Sequence, residues 1–299
     1  MIANPMIIDG GAELPGWTQT TLPTSANWYS VTYGKGKFVA VASSSTVAAY
    51  SNNGINWTKT TLPASINWTS VTYGNGKFVA VANNSATAAY SNNGTTWKQT
   101  TLPTSASWNS VTYGNGKFVA VANNSSIATY SDDGITWTQA TLPNSARWNS
   151  VTYGNGKFVA VAYDGNIAAY SNDGISWTKT TLPASTYWYS VTYGNGKFVA
   201  VTYNKNIAAY SNDGINWTKT TLPNSARWYS VTYGNGKFVA VAYNKNIAAY
   251  SNDGIAWTQT TMPASANWYS VTYGNGKFVA VTISSTIAAY IKDSYDEWA

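Results

Sequence analysis

The stretch VTYGKGKFVAV, residues 31–41, decides the fold, because it returns six more times along the chain as VTYGNGKFVAV. Every copy begins 40 residues after the previous one, and no insertion interrupts the series. Such a fixed period over almost all of a 299-residue chain is typical of an architecture built from repeated units. The copies begin at Val31, Val71, Val111, Val151, Val191, Val231 and Val271.

Each repeat is predicted to form four short strands separated by turn residues. In the first repeat we expect strands at about residues 28–33, 37–42, 47–51 and 55–61. Gly34-Lys35-Gly36, which becomes Gly-Asn-Gly in later repeats, and Asn52-Asn53-Gly54 suit tight turns that need positive φ. The continuous apolar run at 38–42 predicts a strand buried on both faces. Leu62-Pro63 ends the fourth strand, because proline cannot donate a hydrogen bond to a ladder.

Seven units of four strands predict an all-β fold, a seven-bladed β-propeller with four antiparallel strands in each 40-residue blade. The segment from Trp17 to Thr21 is a fourth strand without a blade of its own, so we expect it to complete the last blade and close the ring. Trp298 is the competing candidate for that place. The single domain, 1–299, would contain blades at about 24–63, 64–103, 104–143, 144–183, 184–223, 224–263, and 264–290 together with 14–23, followed by a degenerate C-terminal tail at 291–299.

The turn between the third and fourth strands carries a family resemblance. Residues 171–177, SNDGISW, resemble the Asp-box of sialidase-like propellers, although the usual Ser-x-Asp-x-Gly-x-x-Trp pattern has one more residue before the glycine. In the first two copies Asn53 and Asn93 replace the aspartate. The resemblance covers the second hairpin of each repeat. It implies the propeller fold and no particular activity, since that family contains both enzymes and lectins.

The composition excludes several kinds of site. The chain contains neither cysteine nor histidine, which removes thiolate ligands, the commonest metal ligand and the usual nucleophile–base pairs. We therefore expect no cofactor and no metal. No apolar run approaches the roughly 20 residues of a membrane span, and no secretory signal peptide is visible, so we expect no membrane insertion. The net charge of +6 is spread along the repeats, which does not favour a nucleic-acid partner.

The copies differ from one another mainly in two connections, which an up-and-down blade places on the same face. An unvarying tryptophan adjoins these variable loops of Asn, Ser, Tyr, Arg and Lys. Aromatic rings stack on sugar C–H groups and amides bind hydroxyls, so this mixture suits small polar ligands. The predicted ligand-binding residues are Trp28, Trp68, Trp108, Trp148, Trp188, Trp228, Trp268, Arg147, Arg227, Tyr163, Tyr203, Tyr243, Asn166, Asn206 and Asn246.

Structural interpretations of the same residues remain open. The Trp28 series fits packing between blades as well as it fits ligand binding. The second series, which includes Trp57 and follows the Asp-box-like turn, is expected to be structural. A lysine ring on the other face is interpreted as solvated, with weak ion pairs to nearby acids. Its members are Lys37, Lys77, Lys117, Lys157, Lys197, Lys237 and Lys277.

The function predicted from these patterns is multivalent, lectin-like binding of surface glycans, with avidity from repeated sites. One biological setting for such binding is a phage or bacterial surface-recognition protein that acts outside cells or on a virion. The sequence is also compatible with an oligomer or a larger assembly. The alternative is a non-catalytic structural or protein-interaction scaffold. A sialidase-like glycosidase ranks third, because that family's mechanism needs three arginines and this chain has only Arg147 and Arg227. The only glutamates, Glu13 and Glu297, lie near the termini, so the protein is predicted not to be an enzyme.

Overall fold

A computed structural model describes Leu14 and residues 16–292, and this part of the chain is all-β, as predicted. It contains no helix that could span a membrane. The strands are β1 (Thr18–Gly34), β2 (Lys37–Ser43), β3 (Ser45–Ser51), β4 (Thr58–Gly74), β5 (Lys77–Asn83), β6 (Ser85–Ser91), β7 (Lys98–Gly114), β8 (Lys117–Asn123), β9 (Ser125–Ser131), β10 (Thr138–Ala146), β11 (Trp148–Gly154), β12 (Lys157–Ala162), β13 (Ile167–Ser171), β14 (Thr178–Thr181), β15 (Trp188–Gly194), β16 (Lys197–Thr202), β17 (Lys205–Ser211), β18 (Thr218–Gly234), β19 (Lys237–Ser251), β20 (Thr258–Gly274), β21 (Lys277–Thr282) and β22 (Ser285–Lys292).

One antiparallel pairing scheme recurs along the chain. In the first repeat the second half of β1 pairs with β2, from Trp28 opposite Ala42 to Gly34 opposite Lys37. Strand β2 then pairs with β3, and β3 pairs with the first half of β4. The regular part of this last ladder ends with Val47 opposite Thr61, directly before Leu62-Pro63, because proline has no N–H to donate, and one further pair, Ser45 opposite Ile66, follows a shift in register.

Long strands join neighbouring repeats, which differs from the separate short strands that the sequence predicts. Each 17-residue strand, such as β4, begins as the outer strand of one repeat and continues as the inner strand of the next. The backbone thus stays extended past the proline, although the regular register of the ladder is interrupted there. As a result, the hydrogen-bonded strands form one 18-stranded sheet and a separate four-stranded sheet, β11 to β14.

The core lies between consecutive repeats. Every residue from Phe38 to Ala42 is completely buried, as the apolar run predicts. Val39 and Val41 of the first repeat pack in one cluster with Trp68 and Phe78 of the second. This face-to-face packing explains why the second strand has no polar position, since both of its faces meet apolar neighbours.

The last repeat packs against the first. Val281 and Ala288 share a buried cluster with Trp28 and Ala40. Thr18–Thr21 also pairs with the third strand of the last repeat, Ile287–Tyr290. The predicted pairing of the N-terminal strand is therefore confirmed. Of the predicted tail, Ile291 and Lys292 belong to β22, and residues 293–299, with Trp298, lie outside the described residues.

The first turn of each repeat uses its two glycines for different reasons. Lys35 and Gly36 have φ values of 47° and 74°, which fits the expected tight turn with positive φ. Gly34 is needed for space, because a Cβ there would lie 2.0 Å from Cγ of Tyr73 in the next repeat. In the same way Gly274 faces Tyr33, so this contact also connects the last repeat to the first.

The second turn is stabilised by side-chain hydrogen bonds to the backbone. The Ser171 hydroxyl accepts a hydrogen bond from the N–H of Gly174 at 2.8 Å. One carboxylate oxygen of Asp173 accepts from the N–H groups of Ile175 and Ser176, each at 2.8 Å. Asn53 accepts the equivalent pair of bonds in the first repeat at 2.9 Å, so the turn forms with either residue.

Candidate functional site

A β-bulge at the start of each inner strand positions the candidate site. Trp28 pairs with Ala42 and Ser30 pairs with Val41, so Tyr29 is an extra residue without a partner. The same shift recurs in every repeat. A bulge breaks the alternation of side chains along a strand. Consequently Trp28 is buried in the core, whereas both Tyr29 and Ser30 line a central pocket.

The pocket has a volume of about 400 Å³ and receives residues from the inner strands of all seven repeats. It lies at the end of these strands that carries the variable connections, since residues from the ends of several second strands also contribute. Its lining is Tyr29, Ser30, Thr69, Ser70, Asn83, Asn109, Ser110, Asn123, Arg147, Asn149, Ser150, Tyr163, Tyr189, Ser190, Tyr203, Tyr229, Ser230, Tyr269 and Ser270.

The serines form a belt that connects each inner strand to the next. The N–H of Val71 donates to the hydroxyl oxygen of Ser30 at 3.1 Å, and the N–H of Val31 donates to Ser270 at 3.2 Å. Equivalent bonds occur between the other neighbouring repeats. Each of these serine hydroxyls already accepts a hydrogen bond from the neighbouring repeat, so the belt fixes the spacing of the pocket wall. Contact with a ligand then depends mainly on the bulge residues.

One side of the pocket is a cluster of tyrosines. The ring centroids of Tyr29 and Tyr269 are 4.4 Å apart, those of Tyr189 and Tyr229 are 4.2 Å apart, and those of Tyr229 and Tyr269 are 4.9 Å apart. The hydroxyls of Tyr189 and Tyr269 are hydrogen-bonded at 2.9 Å. Such packed rings form a rigid wall that is apolar on its faces and polar at its hydroxyls.

The other side is formed by amides and one threonine. The Asn109 amide N–H donates to the side-chain oxygen of Asn149 at 2.9 Å, and Asn149 donates to the carbonyl oxygen of Tyr189 at 2.6 Å. The side-chain oxygens of Asn83 and Asn123 are buried and have no hydrogen-bond partner among the described residues. The pocket is therefore divided into an aromatic half and an amide half.

The tyrosine hydroxyls stay protonated at neutral pH. Burial is the main cause that raises the pKa of Tyr189 well above its usual value, and the neighbouring Tyr269 and Tyr229 add to the shift. Burial likewise raises the pKa of Tyr229 and of Tyr269. These groups act as neutral hydrogen-bond donors and acceptors toward a bound molecule.

The two arginines lie over tyrosine rings on the variable face. The Arg147 guanidinium is 4.5 Å from the ring centroid of Tyr163 and 3.2 Å from the carboxylate of Asp164. Arg147 is the one charged side chain in the pocket lining. Arg227 lies 5.3 Å from the Tyr203 ring and donates to the side-chain oxygen of Asn204 at 3.1 Å.

The structure places the seven predicted ligand-binding tryptophans in the core, which corrects that prediction. Each is completely buried, and its indole N–H donates to a carbonyl oxygen four residues earlier in the chain. A ring with no exposed face cannot stack on a ligand, so the structural interpretation of this series is correct. The residues concerned are Trp28, Trp68, Trp108, Trp148, Trp188, Trp228 and Trp268.

The other predicted site residues are divided between the pocket and its surroundings. Tyr163 and Tyr203 line the pocket with Arg147, whereas Tyr243 lies behind Tyr229, with ring centroids 4.6 Å apart. Arg227 and Tyr243 line a smaller pocket, of about 260 Å³, between neighbouring connections. The side chains of Asn166, Asn206 and Asn246 are exposed and do not line the central pocket.

Sequence reasoning missed the bulge residues. Seven positions directly follow the unvarying tryptophan, and their identity changes between otherwise similar repeats, which is a signal for function. In a regular strand, one of two consecutive side chains faces the core and the other faces the surface. The prediction assigned the tryptophan to the ligand and left out the residue that follows it. The missed residues are Tyr29, Thr69, Asn109, Asn149, Tyr189, Tyr229 and Tyr269.

The described residues contain no group of three or more His, Cys, Asp or Glu side chains that could hold a metal ion. On the opposite face, Lys117 of the lysine ring forms an exposed ion pair with Asp132 at 2.7 Å. An exposed pair of this kind contributes little to stability.

Comparison with known proteins shows the fold. Neither a protein-family model nor a curated protein sequence matches the chain. Among similar solved structures is virginiamycin B lyase from Staphylococcus aureus, with a TM-score of 0.83, 15% identity, and coverage of 92% of this chain and 98% of that chain. YCF48 bound to D1 peptide has a TM-score of 0.75, 16% identity, and coverage of 94% and 98%. At these identities the likeness to such propeller-like proteins shows the fold alone.

These comparisons overturn two predictions. Lectin-like binding is wrong as the main interpretation, because the similar structures include an enzyme and a peptide-bound protein, and the tryptophans expected to stack on sugars are buried. The prediction that the protein is not an enzyme is contradicted as well, because virginiamycin B lyase has the same fold, so a fold of this kind does not exclude catalysis. A catalytically inactive variant of that lyase has a histidine replaced by alanine, and this chain has no histidine.

Proposed function

We propose that the protein is a seven-bladed β-propeller that binds a peptide segment of a partner protein in its tyrosine-lined central pocket. Seven repeats, each paired by the same scheme, and the serine belt from Ser30 to Ser270 support the blade count. The proposal includes the blade boundaries predicted from the sequence, and it assigns an Asp-box-type structural role to the serine–aspartate turns. This function is the protein-interaction alternative that the sequence already offered.

The observation that carries the proposal is the asymmetry of the pocket. The repeats are nearly identical, yet the residue after each buried tryptophan is Tyr in four repeats, Asn in two and Thr in one. Tyrosine and arginine are enriched among the residues that contribute most of the binding energy at protein interfaces, and tyrosine buries a large area at a small entropic cost. An amide wall opposite the tyrosines suits a peptide, whose backbone presents both donors and acceptors.

The size of the pocket also fits this ligand. A volume of about 400 Å³ holds only a few side chains, so the rest of a bound peptide would lie across the variable face. The similar structure of YCF48 bound to D1 peptide supports the idea that a fold of this kind presents a peptide site.

The proposal predicts that peptides of about 12 residues can be selected from a random displayed library on the purified protein. The variant Tyr229→Asn should weaken the selected peptides by at least about tenfold in fluorescence anisotropy, because it removes a ring at the centre of the aromatic cluster. Asparagine already occupies the equivalent position at Asn109 and Asn149, so the fold accommodates the change.

The matched control is Ile175→Thr on the opposite face. Ile175 is 37% exposed, and Thr95 occupies the equivalent position in the second repeat. This control should leave the affinity unchanged. Failure to select any peptide, or equal affinity for Tyr229→Asn and the wild type, would count against a peptide site in this pocket.

A further inference from the structure

The charged residues of the variable connections are confined to three consecutive repeats. The corresponding connections of the other four repeats, such as residues 24–27 and 43–46, contain no charged residue. The confined set has four cations and one carboxylate, a net charge of +3. We call it the cationic arc, and its members are Arg147, Asp164, Lys205, Arg227 and Lys245.

The cationic arc is continuous with the aromatic half of the pocket. Arg147 contacts the ring of Tyr163, which stacks on Tyr187 with centroids 4.9 Å apart. Tyr203 follows, 6.4 Å from Tyr187, and Arg227 lies over Tyr203. Cations held against aromatic rings in this way are pre-positioned for an anionic ligand.

Most of the positive charge in the cationic arc is available. Lys205, Arg227 and Lys245 are exposed, and none of them forms an ion pair within the described residues. Only Arg147 has a carboxylate neighbour, Asp164, and the side chains of this pair are 46% and 49% exposed. The surface is therefore complementary to a ligand that carries several negative charges.

The ring contacts favour an acidic peptide over a single-stranded nucleic acid. Proteins bind single-stranded nucleic acids by stacking the bases of the strand on the free faces of aromatic side chains. Here Tyr163 is already packed against Arg147 and Tyr187, and Tyr229 is packed against Tyr189 and Tyr243. The rings of Tyr163 and Tyr229 thus support the cations and the pocket wall. Tyr187 is 44% exposed, but one exposed ring does not offer the successive stacking faces that a strand of bases needs, so the charges remain for recognition.

We propose that the cationic arc selects an acidic peptide, whose carboxylates lie along Arg147, Lys205, Arg227 and Lys245 while its adjoining residues enter the central pocket beside Tyr163. This inference rests on the proposed peptide-binding function and specifies its ligand class. It also places recognition on one side of the disc, in the repeats from Arg147 to Lys245.

The test uses the peptides selected from the random library, together with a fluorescein-labelled oligothymidine of about 12 nucleotides. The test variant carries Lys205→Ser and Lys245→Ser. Serine occupies the equivalent positions at Ser45, Ser85, Ser125 and Ser285, where its hydroxyl accepts the N–H two residues later at 2.9 Å. The substitutions therefore remove charge and keep the local structure.

The matched control carries Lys179→Gln and Lys219→Gln. These exposed lysines lie on outer strands, and glutamine occupies the equivalent positions in four other repeats. This control loses the same net charge away from the cationic arc. A third variant, Asp164→Asn, removes the carboxylate of the cationic arc and so makes its net charge more positive.

We expect the selected peptides to be enriched in Asp and Glu. Their affinity should fall roughly three- to tenfold in the test variant at about 50 mM NaCl, and by less at about 300 mM, because salt screens exposed charges. The lysine-to-glutamine control should change the affinity by less than about twofold, and Asp164→Asn should increase it.

Three results would overturn this inference, and they differ from one another. Selected peptides of neutral or basic composition whose affinity the test variant leaves unchanged would preserve peptide binding and refute the acidic ligand. Selection of no peptide at all would refute the proposed function and this inference together. Tighter binding of the oligothymidine than of any peptide, lost in the test variant, would assign the cationic arc to nucleic acid.

Discussion

At the scale of single residues, the two tryptophans of a repeat differ in the hydrogen bonding of their indole N–H groups. Trp188 is completely buried and donates to the carbonyl oxygen of Ala184 at 3.1 Å. Trp217 packs against the edge of a core cluster, and its indole nitrogen is buried without a hydrogen-bond partner among the described residues. The same substitution at the two sites therefore removes the same atoms but only one hydrogen bond.

We expect Trp188→Phe to lower the free energy of unfolding by about 2–4 kcal/mol, through a cavity and an orphaned carbonyl. Trp217→Phe should cost about 1 kcal/mol less, since no hydrogen bond is lost. Urea denaturation followed by circular dichroism measures both values. Equal losses at the two positions would contradict the assignment of different roles.

At the scale of one structural element, the serine–aspartate turn predicts a pH dependence. Partial burial opposes ionisation of Asp213, but hydrogen bonds from the backbone N–H groups of Asn216 and Ile215 and from the side chains of Asn216 and Ser211 more than offset it. The pKa of Asp213 therefore lies well below its usual range. The pKa of the equivalent Asp133, Asp173 and Asp253 is lowered in the same way.

A lowered pKa in the folded state stabilises the protein above the unfolded pKa of about 3.9, and this contribution is lost as the pH falls below that value. The free energy of unfolding should thus decrease between about pH 4 and pH 2. The variant with Asp→Asn at 133, 173, 213 and 253 should show a flatter profile and a lower free energy of unfolding at pH 7, because a neutral amide accepts the same bonds without the stabilising charge of the carboxylate. Asn53 and Asn93 already accept the same backbone bonds.

The control for the turn is Asp132→Asn, which removes only the exposed ion pair with Lys117. It should leave the acid profile close to that of the wild type, because an exposed pair contributes little. If the fourfold variant lost stability at low pH as steeply as the wild type, these turns would not be the source of acid sensitivity.

At the scale of the whole molecule, the N-terminal strand holds the last repeat. Thr18–Thr21 completes its pairing, and Leu14, Trp17 and Ile291 lie in one buried cluster. Deletion of residues 1–23 should lower the free energy of unfolding by at least about 3–5 kcal/mol, the cost of losing large buried side chains. It should also expose a strand edge, so size-exclusion chromatography should detect association.

A circular permutant tests whether the strand itself stabilises the last repeat, because it keeps residues 17–23 but attaches them to the C-terminal end of that repeat. Residues 17–23 would follow Tyr290 through the turn of residues 251–256, as in the other repeats, and the chain would begin at residue 24. This permutant should recover the wild-type melting temperature to within a few degrees. A permutant as unstable as the deletion would show that pairing with β22 does not hold the repeat in place.

Much of the fold follows from local pattern. The positions of the inner strands, the complete burial of Phe38–Ala42 and the turn at Lys35-Gly36 agree with expectations drawn from the 40-residue period. The extended path through Leu62-Pro63 was not expected, because the proline is predicted to end the strand, whereas it only interrupts the register of the ladder. Only part of the candidate site was predicted: Arg147, Tyr163 and Tyr203 line the pocket, and the tryptophans do not.

Local sequence therefore specified the all-β repeat, its turns and its doubly buried strand, because these depend on φ preferences and on apolar runs within a few residues. Tertiary structure alone decided the site. The bulge after each tryptophan turns Tyr29 toward the pocket, and its register exists only when two strands pair. Tyr29 and Tyr269 are 240 positions apart, yet their rings lie 4.4 Å apart. They meet because the last repeat packs against the first, and contacts between such distant positions cannot be read from a local pattern.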